Sequence, residues 1–168
     1  GNFFTVRDVA EKYGYEPIRY LMISSHYRSP INYSTDVIEQ CKASLTRLYT
    51  CRDNLDFALS NAADGEVSED ISAMLNKRRE QFVAALNDDL NTADAIAAIF
   101  DLIREINTIC GDAEVTKAYA KEAKTALFAL CDVLGIGNTA EEEMLDSEIE
   151  ELINKRTEAR KNKDYKES

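Results

Sequence analysis

The chain has 168 residues, of which 45% are hydrophobic and 30% are charged, and its formal net charge at pH 7 is −11. This composition is typical of a folded protein of one domain, or of one domain with the edge of another, and excludes a disordered chain. No apolar run approaches the roughly 18 residues that a membrane span requires, and nothing resembles a secretory leader, so we expect a cytoplasmic protein without a membrane partner.

The charge is spread unevenly along the chain. Residues 1–52 hold 7 basic and 5 acidic side chains, residues 53–151 hold 7 and 23, and residues 152–168 hold 6 and 3. An acidic middle repels polyanions, which excludes a general nucleic-acid binder, although either end could still contact RNA locally.

Two short helices are predicted at the N-terminal end. Thr5 and Asp8 have the spacing of a helix start, and Gly14 suits a left-handed C-terminal cap. Pro17 then falls near the first turn of a second helix, where its missing N–H is not needed. The polar decapeptide 25–34, with the sequence SHYRSPINYS, interrupts the helical pattern.

Four long helices are predicted to follow. Ser34, Ser68 and either Asn91 or Thr92 suit N-caps, and apolar residues recur at steps of three and four. The expected stripes are Ile38, Cys41, Leu45, Leu48, Arg52, Leu55 and Leu59; Ile71, Leu75, Arg78, Phe82 and Ala85; Ile96, Ile99, Phe100, Ile103, Ile106 and Cys110; and Tyr119, Ala123, Leu127, Leu130 and Leu134. Arg52 is the odd member of its stripe, and we expect its side chain to snorkel to the edge of the core.

A last helix is predicted beyond the acidic linker around residues 141–143, with Ile149, Leu152 and Ile153 on its apolar face. No segment shows the alternation of a strand. The predicted fold is therefore all-α: an antiparallel bundle of about four long helices with short flanking helices.

The residues indicate no catalytic centre and no metal site. The chain has one histidine, no phosphate-binding glycine loop and four isolated cysteines, which we expect to be small buried hydrophobic residues. Asp88 and Asp89 are adjacent, and neighbouring side chains on a helix point about 100° apart, so they cannot form a carboxylate dyad. We expect capping roles at this helix junction instead.

Two segments carry candidate binding residues. In the decapeptide, His26, Tyr27 and Arg28 offer stacking and phosphate-binding groups, but a packed corner between helices would use the same residues. The basic run 155–166, with Tyr165, fits either a nucleic-acid contact or a solvated helix face. The residues alone leave both alternatives open.

Four blocks of the sequence resemble the cysteinyl-tRNA synthetases, which are class I synthetases. GNFFTVRDV is similar to the segment after that family's Lys-Met-Ser-Lys-Ser loop, and EPIRYLMISSHYRSPINYS to the segment where its helical domain begins. The Asp-Ala-Leu-Arg motif of that domain would read EPIR here, with only Arg19 identical. LNDDLNTADAIAAIFDL and INKRTEARKNKDYKES are similar to the Asp-rich helix junction and to the helix that leads into the anticodon-binding region.

The resemblance implies a parent enzyme that activates cysteine with ATP, recognises the thiol with zinc and transfers the amino acid to tRNA. The family's catalytic and zinc-binding signatures are expected before Gly1, so the segment alone is predicted to be inactive and to hold no cofactor. It also implies three parts: residues 1–33 from the trailing edge of the catalytic domain, residues 34–140 as the helical bundle, and residues 141–168 as a linker and basic helix.

The resemblance implies tRNA, and the missing catalytic domain, as partners. The residues predicted to contact tRNA lie in the second helix, the decapeptide and the basic run: Arg19, His26, Tyr27, Arg28, Lys155, Arg156, Arg160 and Lys161. Two alternatives stay open. One is a fragment of the synthetase-like ligase that joins cysteine to an aminosugar–inositol in mycothiol synthesis, and the other is a stand-alone helical interaction module.

Overall fold

The structure, a computed structural model, describes residues 6–25, 34–112 and 115–137. These residues form six α-helices and no β-strand, so the predicted all-α fold is confirmed. The helices are α1 Val6–Tyr13, α2 Tyr15–Ser24, α3 Thr35–Asn61, α4 Glu69–Asn87, α5 Thr92–Cys110 and α6 Lys117–Leu134. The predicted last helix lies outside the described residues.

The four long helices α3 to α6 pack around one hydrophobic core. The longest, α3, has 27 residues and is therefore about 40 Å long. It contacts α2, α5 and α6, while α4 packs against α5 and α6, and α1 packs against α2. The connections between successive long helices are short, as in antiparallel bundles.

Four polar side chains fix the starts of the long helices. Each accepts a hydrogen bond from the backbone N–H three residues later, which satisfies one of the free N–H groups of the first turn. They are Ser34, Ser68, Asn91 and Thr116, with donor–acceptor distances of 3.4, 3.3, 3.1 and 3.1 Å. Of the two caps that the sequence left open for α5, the structure has Asn91.

The Asp88–Asp89 pair forms the turn between α4 and α5. Asp88 is the C-cap residue of α4, and Asp89 and Leu90 have positive φ angles of 50° and 55°. Both aspartates are exposed. The side chain that caps α5 at this junction belongs to Asn91, so the expected capping is present but comes from the amide.

The buried stripe of α3 differs from the prediction in its second half. Cys51 and Ala58 are buried there, and Leu59 is only partly buried. Arg52 lies at the edge, as expected, with its guanidinium 4.7 Å from the Tyr49 ring centroid. The buried positions lie one residue earlier than predicted, whereas the difference between 3.5 and 3.6 residues per turn would move them to later residues, so helix geometry alone does not account for the shift.

The remaining predictions about single side chains have clear outcomes. Three of the four cysteines are buried, and Cys110 is partly buried at the end of α5. Arg78, predicted within the stripe of α4, is held at the edge of the core because its guanidinium binds both carboxylate oxygens of Glu105, at 2.5 and 3.1 Å. Such bidentate pairing is the way in which proteins accommodate a partly buried arginine.

Candidate functional site

Of the eight residues predicted to contact tRNA, the structure describes one. Arg19 is half-buried on α2, and its Nε donates a hydrogen bond to the backbone carbonyl of Leu134, at 3.1 Å. His26, Tyr27 and Arg28 follow directly after the described end of α2 and lie outside the described residues. Lys155, Arg156, Arg160 and Lys161 also lie outside them.

Arg19 belongs to a group of polar contacts that joins α2 to the end of α6. Glu16, one helical turn before Arg19, accepts a hydrogen bond from the backbone N–H of Gly137 at 3.1 Å. It also accepts one from the hydroxyl of Tyr49 on α3, at 2.6 Å to its second oxygen. We call these residues, Glu16, Arg19, Tyr49, Leu134 and Gly137, the exit clamp, because they lie at the end of α6, the last described helix.

The backbone at the exit clamp requires glycine. Gly135 is the C-cap of α6 and has a φ of 67°, in the left-handed region that ends many helices. A Cβ atom at this position would lie 2.2 Å from a guanidinium nitrogen of Arg19. Gly137 has a φ of 80°, and its neighbours include side chains of α3 and α6. Gly135 therefore allows Arg19 of α2 to approach the end of α6 closely, and Gly137 allows the chain to pack closely against α3 and α6.

Tyr49 is the donor that holds Glu16 from the α3 side. Burial, the hydrogen bond to Glu16 and the negative charge of that carboxylate all raise the pKa of Tyr49. The phenol therefore keeps its proton and remains a donor throughout the neutral range. The Arg52 guanidinium, which is also on α3, stacks on the Tyr49 ring.

A pair of lysines lies near the N-terminal end of the bundle. Lys12 of α1 and Lys42 of α3 are both exposed, and their ammonium groups lie 5.0 and 5.8 Å from the centroid of the Tyr13 ring. The ring quadrupole attracts both cations, which partly offsets their mutual repulsion. The sequence analysis did not single out these lysines, because they are 30 residues apart and their shared ring is visible only in the fold.

On the side of α6 away from the exit clamp, a groove of about 800 Å³ lies between α4 and α6. Its walls are mostly apolar, with Arg79, Lys121 and Glu122 as the charged residues of its lining. Exposed Val83 and Val133 line it, at 45% and 62% exposure. Exposed apolar residues in a groove are typical of an interaction surface, but a groove alone does not identify its occupant.

The described residues do not form a metal site. No three of their histidine, cysteine, aspartate and glutamate side chains come together as metal ligands would. The pKa of the Cys41 thiol is raised by burial to about 11, and the pKa values of Cys51 and Cys131 to about 12, which disfavours the thiolates that zinc requires. Nor does any helix of the described part combine the length and hydrophobicity needed to cross a bilayer.

The exit clamp is the feature that the sequence analysis missed. A signal was present: the EPIR block carries an acid and an arginine three residues apart, and a Gly-x-Gly follows the last long helix. Nothing in the sequence pairs these two signals, because the hydrogen-bonded residues are far apart in the chain: 115 residues separate Arg19 from Leu134, and 121 separate Glu16 from Gly137.

Two family profiles match the chain. The profile of the tRNA synthetases class I (C) catalytic domain matches residues 1–43, and that of the DALR domain matches residues 81–138. The first match contains α1, α2 and the start of α3, and the second ends one residue after Gly137. The exit clamp therefore joins residues from both matched segments.

Curated relatives match the chain from end to end. A cysteine–tRNA ligase of Caldicellulosiruptor saccharolyticus is 43% identical over 171 aligned residues, covering 100% of this chain and 36% of the relative. The corresponding proteins of Clostridioides difficile and Lachnospira eligens are 42% and 41% identical, each over 98% of this chain. The chain spans about a third of the length of these relatives, 36% and 35% for the last two.

Proposed function

Because this chain is related over its whole length to a segment of the cysteine–tRNA ligases, we propose that it serves as the helical domain of an enzyme that attaches cysteine to its tRNA with ATP, for protein synthesis. The observation that carries the proposal is the end-to-end similarity, at 43% identity, to a relative of that activity. The catalytic residues of the reaction would lie outside this chain.

We propose the domain division that the sequence suggests. Residues 1–33 would belong to the trailing edge of the catalytic domain, residues 34–140 to the DALR-type bundle, and residues 141–168 to a linker and basic helix. The profile matches at residues 1–43 and 81–138 support this division, although the first extends ten residues further, into α3.

The proposed RNA partner is the tRNA of the ligase. His26, Tyr27 and Arg28 would supply stacking and phosphate contacts at the corner after α2, and the basic run would supply a second contact through Lys155, Arg156, Arg160 and Lys161. Arg19, the other residue of this proposed surface, donates its Nε to the backbone carbonyl of Leu134. The exposed Lys12 and Lys42 add cations to the N-terminal end of the bundle.

The remaining proposals concern the whole enzyme. The class I synthetase match implies that the enzyme uses ATP. Zinc, which the resemblance implies for recognition of the cysteine thiol, does not fit the described residues, so we assign it no ligand here. We propose a cytoplasmic location, where tRNA charging takes place. The relatives reported above support neither a mycothiol-synthesis ligase nor a stand-alone module.

The proposal is tested by filter binding of the chain to cysteine-specific tRNA and to an unrelated tRNA across a salt series. We expect weak binding of both RNAs, with a steep decrease as salt rises, because a domain that lacks the rest of the enzyme makes backbone contacts only. Arg28→Ala should reduce the salt dependence, whereas Arg104→Ala, on the 71% exposed Arg104 of α5, serves as the matched control. Absence of binding at low salt would contradict the RNA-contact role.

A second test addresses catalysis. The chain alone should show no cysteine-dependent exchange between ATP and pyrophosphate, whereas the full-length protein should show it. Exchange by the isolated chain would contradict the placement of the catalytic residues outside it. Lack of exchange by the full-length protein would contradict the proposed enzyme itself.

A further inference from the structure

Three exposed cations of α1 and α3 are held over aromatic rings instead of beside carboxylates. The Nζ atoms of Lys12 on α1 and Lys42 on α3 lie 5.0 and 5.8 Å from the centroid of the Tyr13 ring. The guanidinium carbon of Arg47, also on α3, lies 5.1 Å from the centroid of the Phe100 ring of α5. None of the three cations forms an ion pair with a carboxylate in the part of the chain that the structure describes.

The kind of partner decides whether a cation keeps its charge for a polyanion. A carboxylate neutralises the cation beside it, as Glu105 does for Arg78 on the other side of the bundle. An aromatic ring attracts a cation through its quadrupole but carries no net charge. The three ring-held cations are therefore restrained in position, while their positive charge remains available to a partner.

Lys42 and Arg47 lie at the two edges of the exposed face of α3. Five residues of a helix correspond to a rise of about 7.5 Å and to a rotation that leaves the two side chains about 140° apart. Ala43, Thr46 and Thr50 lie on the face between these edges and are exposed and uncharged. We call these five residues the α3 strip. Residues 40–52 contain no acidic side chain, so the strip is a local positive region in a chain with a net charge of −11.

Acidic residues limit the strip along the helix axis. Glu39 lies three residues before Lys42, and Asp53 lies three residues after Thr50, and both are exposed. Fourteen residues separate these two acids, which corresponds to about 21 Å. A polyanion that ran along α3 would meet both carboxylates, whereas one that crossed the helix between them would meet the cations. The strip therefore fits a polyanion that crosses α3 from one edge to the other.

The side chains of the strip suit a nucleic-acid backbone better than a protein partner. Protein interfaces are centred on buried apolar and aromatic side chains. The large exposed apolar residues of the described chain lie outside the strip; they are Phe57, Val83, Leu90 and Val133. Phosphate groups are bound by lysine and arginine together with threonine hydroxyls, and the strip presents these groups without an apolar centre.

We propose that the α3 strip, together with Lys12, is a phosphate-binding surface over which the backbone of the tRNA crosses α3. This inference rests on the proposed function, which supplies tRNA as the partner, and it assigns the contact to particular residues of the bundle. The strip has the groups that bind phosphate, and phosphate contacts carry no sequence information. It should therefore contribute affinity and orientation to the complex without selecting the tRNA of cysteine.

The first test places a negative charge in the strip. Thr46 on α3 and Thr125 on α6 are a matched pair, because both are exposed and each hydroxyl donates to the backbone carbonyl four residues earlier, at 3.0 and 2.9 Å. In the full-length protein, Thr46→Glu should weaken the binding of cysteine-specific tRNA and of an unrelated tRNA by about fivefold or more at 0.1 M salt. Thr125→Glu should change neither affinity.

The second test removes one positive charge at a time. Lys42→Gln and Arg47→Gln should each weaken tRNA binding by about fivefold at 0.1 M salt and reduce the slope of log K against log salt by about one. Lys77→Gln removes the same charge from an exposed residue of α4, which packs mainly against α5 and α6, and it should change neither quantity. Circular dichroism verifies that each variant is folded.

The outcomes separate the strip from the proposed function. Equal effects of Thr46→Glu and Thr125→Glu overturn the inference while tRNA binding itself stands, and so does an unchanged salt slope in both charge-removal variants. A parallel loss of cysteine-dependent ATP–pyrophosphate exchange also overturns it, because exchange does not involve tRNA. Displacement of tRNA by polyglutamate as effective as by polyuridylate of equal charge would assign the strip to an acidic protein instead. Absence of tRNA binding by the unsubstituted full-length protein contradicts the proposed function and the strip with it.

Discussion

The two sides of α6 differ in how they are covered. On the clamp side, where the exit clamp holds the end of α6, Ala123, Leu127 and Cys131 are fully buried. On the groove side, which faces α4, Ala129 and Val133 are exposed. A hydrogen bond between Ser72 of α4 and Glu122 of α6, at 3.1 Å, connects the two walls of the groove.

The difference shows that tight packing and directional contacts occur together in this molecule. The clamp side joins residues that are more than a hundred positions apart, and it combines complete burial with three fixed hydrogen-bond partners of Glu16 and Arg19. On the groove side, α4 is held mainly by α5, through the Arg78–Glu105 pair. The clamp side should therefore dominate stability, and the groove side should tolerate substitution.

The largest effect is expected from core truncation on the clamp side. Leu127→Ala removes a fully buried side chain and should lower the free energy of unfolding by about 3–4 kcal/mol, since transfer and cavity terms both act. Val133→Ala, on the groove side, should change it by less than about 0.5 kcal/mol. Urea unfolding followed by circular dichroism measures both. Similar losses in the two variants would mean that the groove is closed in solution.

The next effect concerns Gly135. Gly135→Ala should lower stability by about 2–3 kcal/mol, because the left-handed backbone costs about 1–2 kcal/mol for a residue with a Cβ and the new atom collides with Arg19. Gly111→Ala is the control, since Gly111 is the C-cap of α5 with an ordinary φ of −77° and its Cβ position meets only the carbonyls of its own helix at 3.4 Å or more. Equal losses at both glycines would show that neither the backbone conformation of Gly135 nor the close approach of Arg19 has a cost.

A double-mutant cycle sharpens that result. In an Arg19→Ala background, the loss caused by Gly135→Ala should decrease to about 1–2 kcal/mol, because only the cost of the left-handed backbone remains. Thermal or urea unfolding of the four proteins in the cycle provides the coupling energy. A coupling energy of zero would contradict the close approach of Arg19 to the α6 C-cap.

A smaller effect is expected from Tyr49→Phe. The substitution removes the donor that holds Glu16 from α3 and should lower the free energy of unfolding by about 1 kcal/mol, the net value of a typical hydrogen bond. Tyr119→Phe is a matched control on α6, because the Tyr119 hydroxyl is buried without a hydrogen-bond partner in the described part of the chain. The Tyr119→Phe substitution should leave the free energy of unfolding unchanged or raise it slightly. A larger decrease in stability for Tyr119→Phe than for Tyr49→Phe would contradict the role of Tyr49 as the donor that holds Glu16.

The smallest expected effect on stability comes with a comparison of thiol reactivity on the two sides of α6. Burial raises the pKa of Cys131 to about 12 from an ordinary 9.0, so this thiol should stay protonated and unreactive toward a disulfide reagent at pH 8. Ala129→Cys, in the groove, should react at the rate of an exposed thiol. Rapid reaction of Cys131 in the folded chain would show that the clamp side opens.

The same shift has a consequence for pH. Because the pKa of Cys131 is raised in the folded state, the folded chain keeps a proton that the unfolded chain has already lost above pH 9. The contribution of this thiol to stability is therefore complete below that pH and is lost as the pH rises toward about 12. Urea unfolding between pH 8 and 10 should show the decrease, and Cys131→Ala should reduce its slope.

Local structure was largely predictable from the sequence. Ser34 and Ser68 have the side chains that cap helices, Gly135 has the conformational freedom to end one, and apolar spacing marked the core. The stripe of α3 differs in its second half, where Cys51 and Ala58 are buried one position before the expected residues. Apolar spacing does not indicate which of two neighbouring positions on a helix packs into the core when both carry side chains that the core can accept.

The exit clamp could not be predicted because its partners are distant in sequence. Glu16 was seen only as the unmatched first residue of a motif, and Arg19 as a group for RNA. Whether a charged side chain contacts solvent, RNA or a helix end depends on which chain segment the fold brings beside it. The cap of a helix lies three residues from its partner, but Arg19 and its carbonyl partner are 115 residues apart.

The hydrogen bond between Glu16 and Gly137 brings α2, which precedes the four long helices, beside a residue that directly follows them. The four long helices therefore resemble a side branch on the path of the chain, and their length can vary without displacing the two segments that this contact holds together. Helices α3 to α6 could gain or lose whole turns at their far end, near the contact between Ala63 and Thr116, while the flanking segments kept their spacing. Relatives that differ in the length of these helices could therefore retain one common geometry at the branch point.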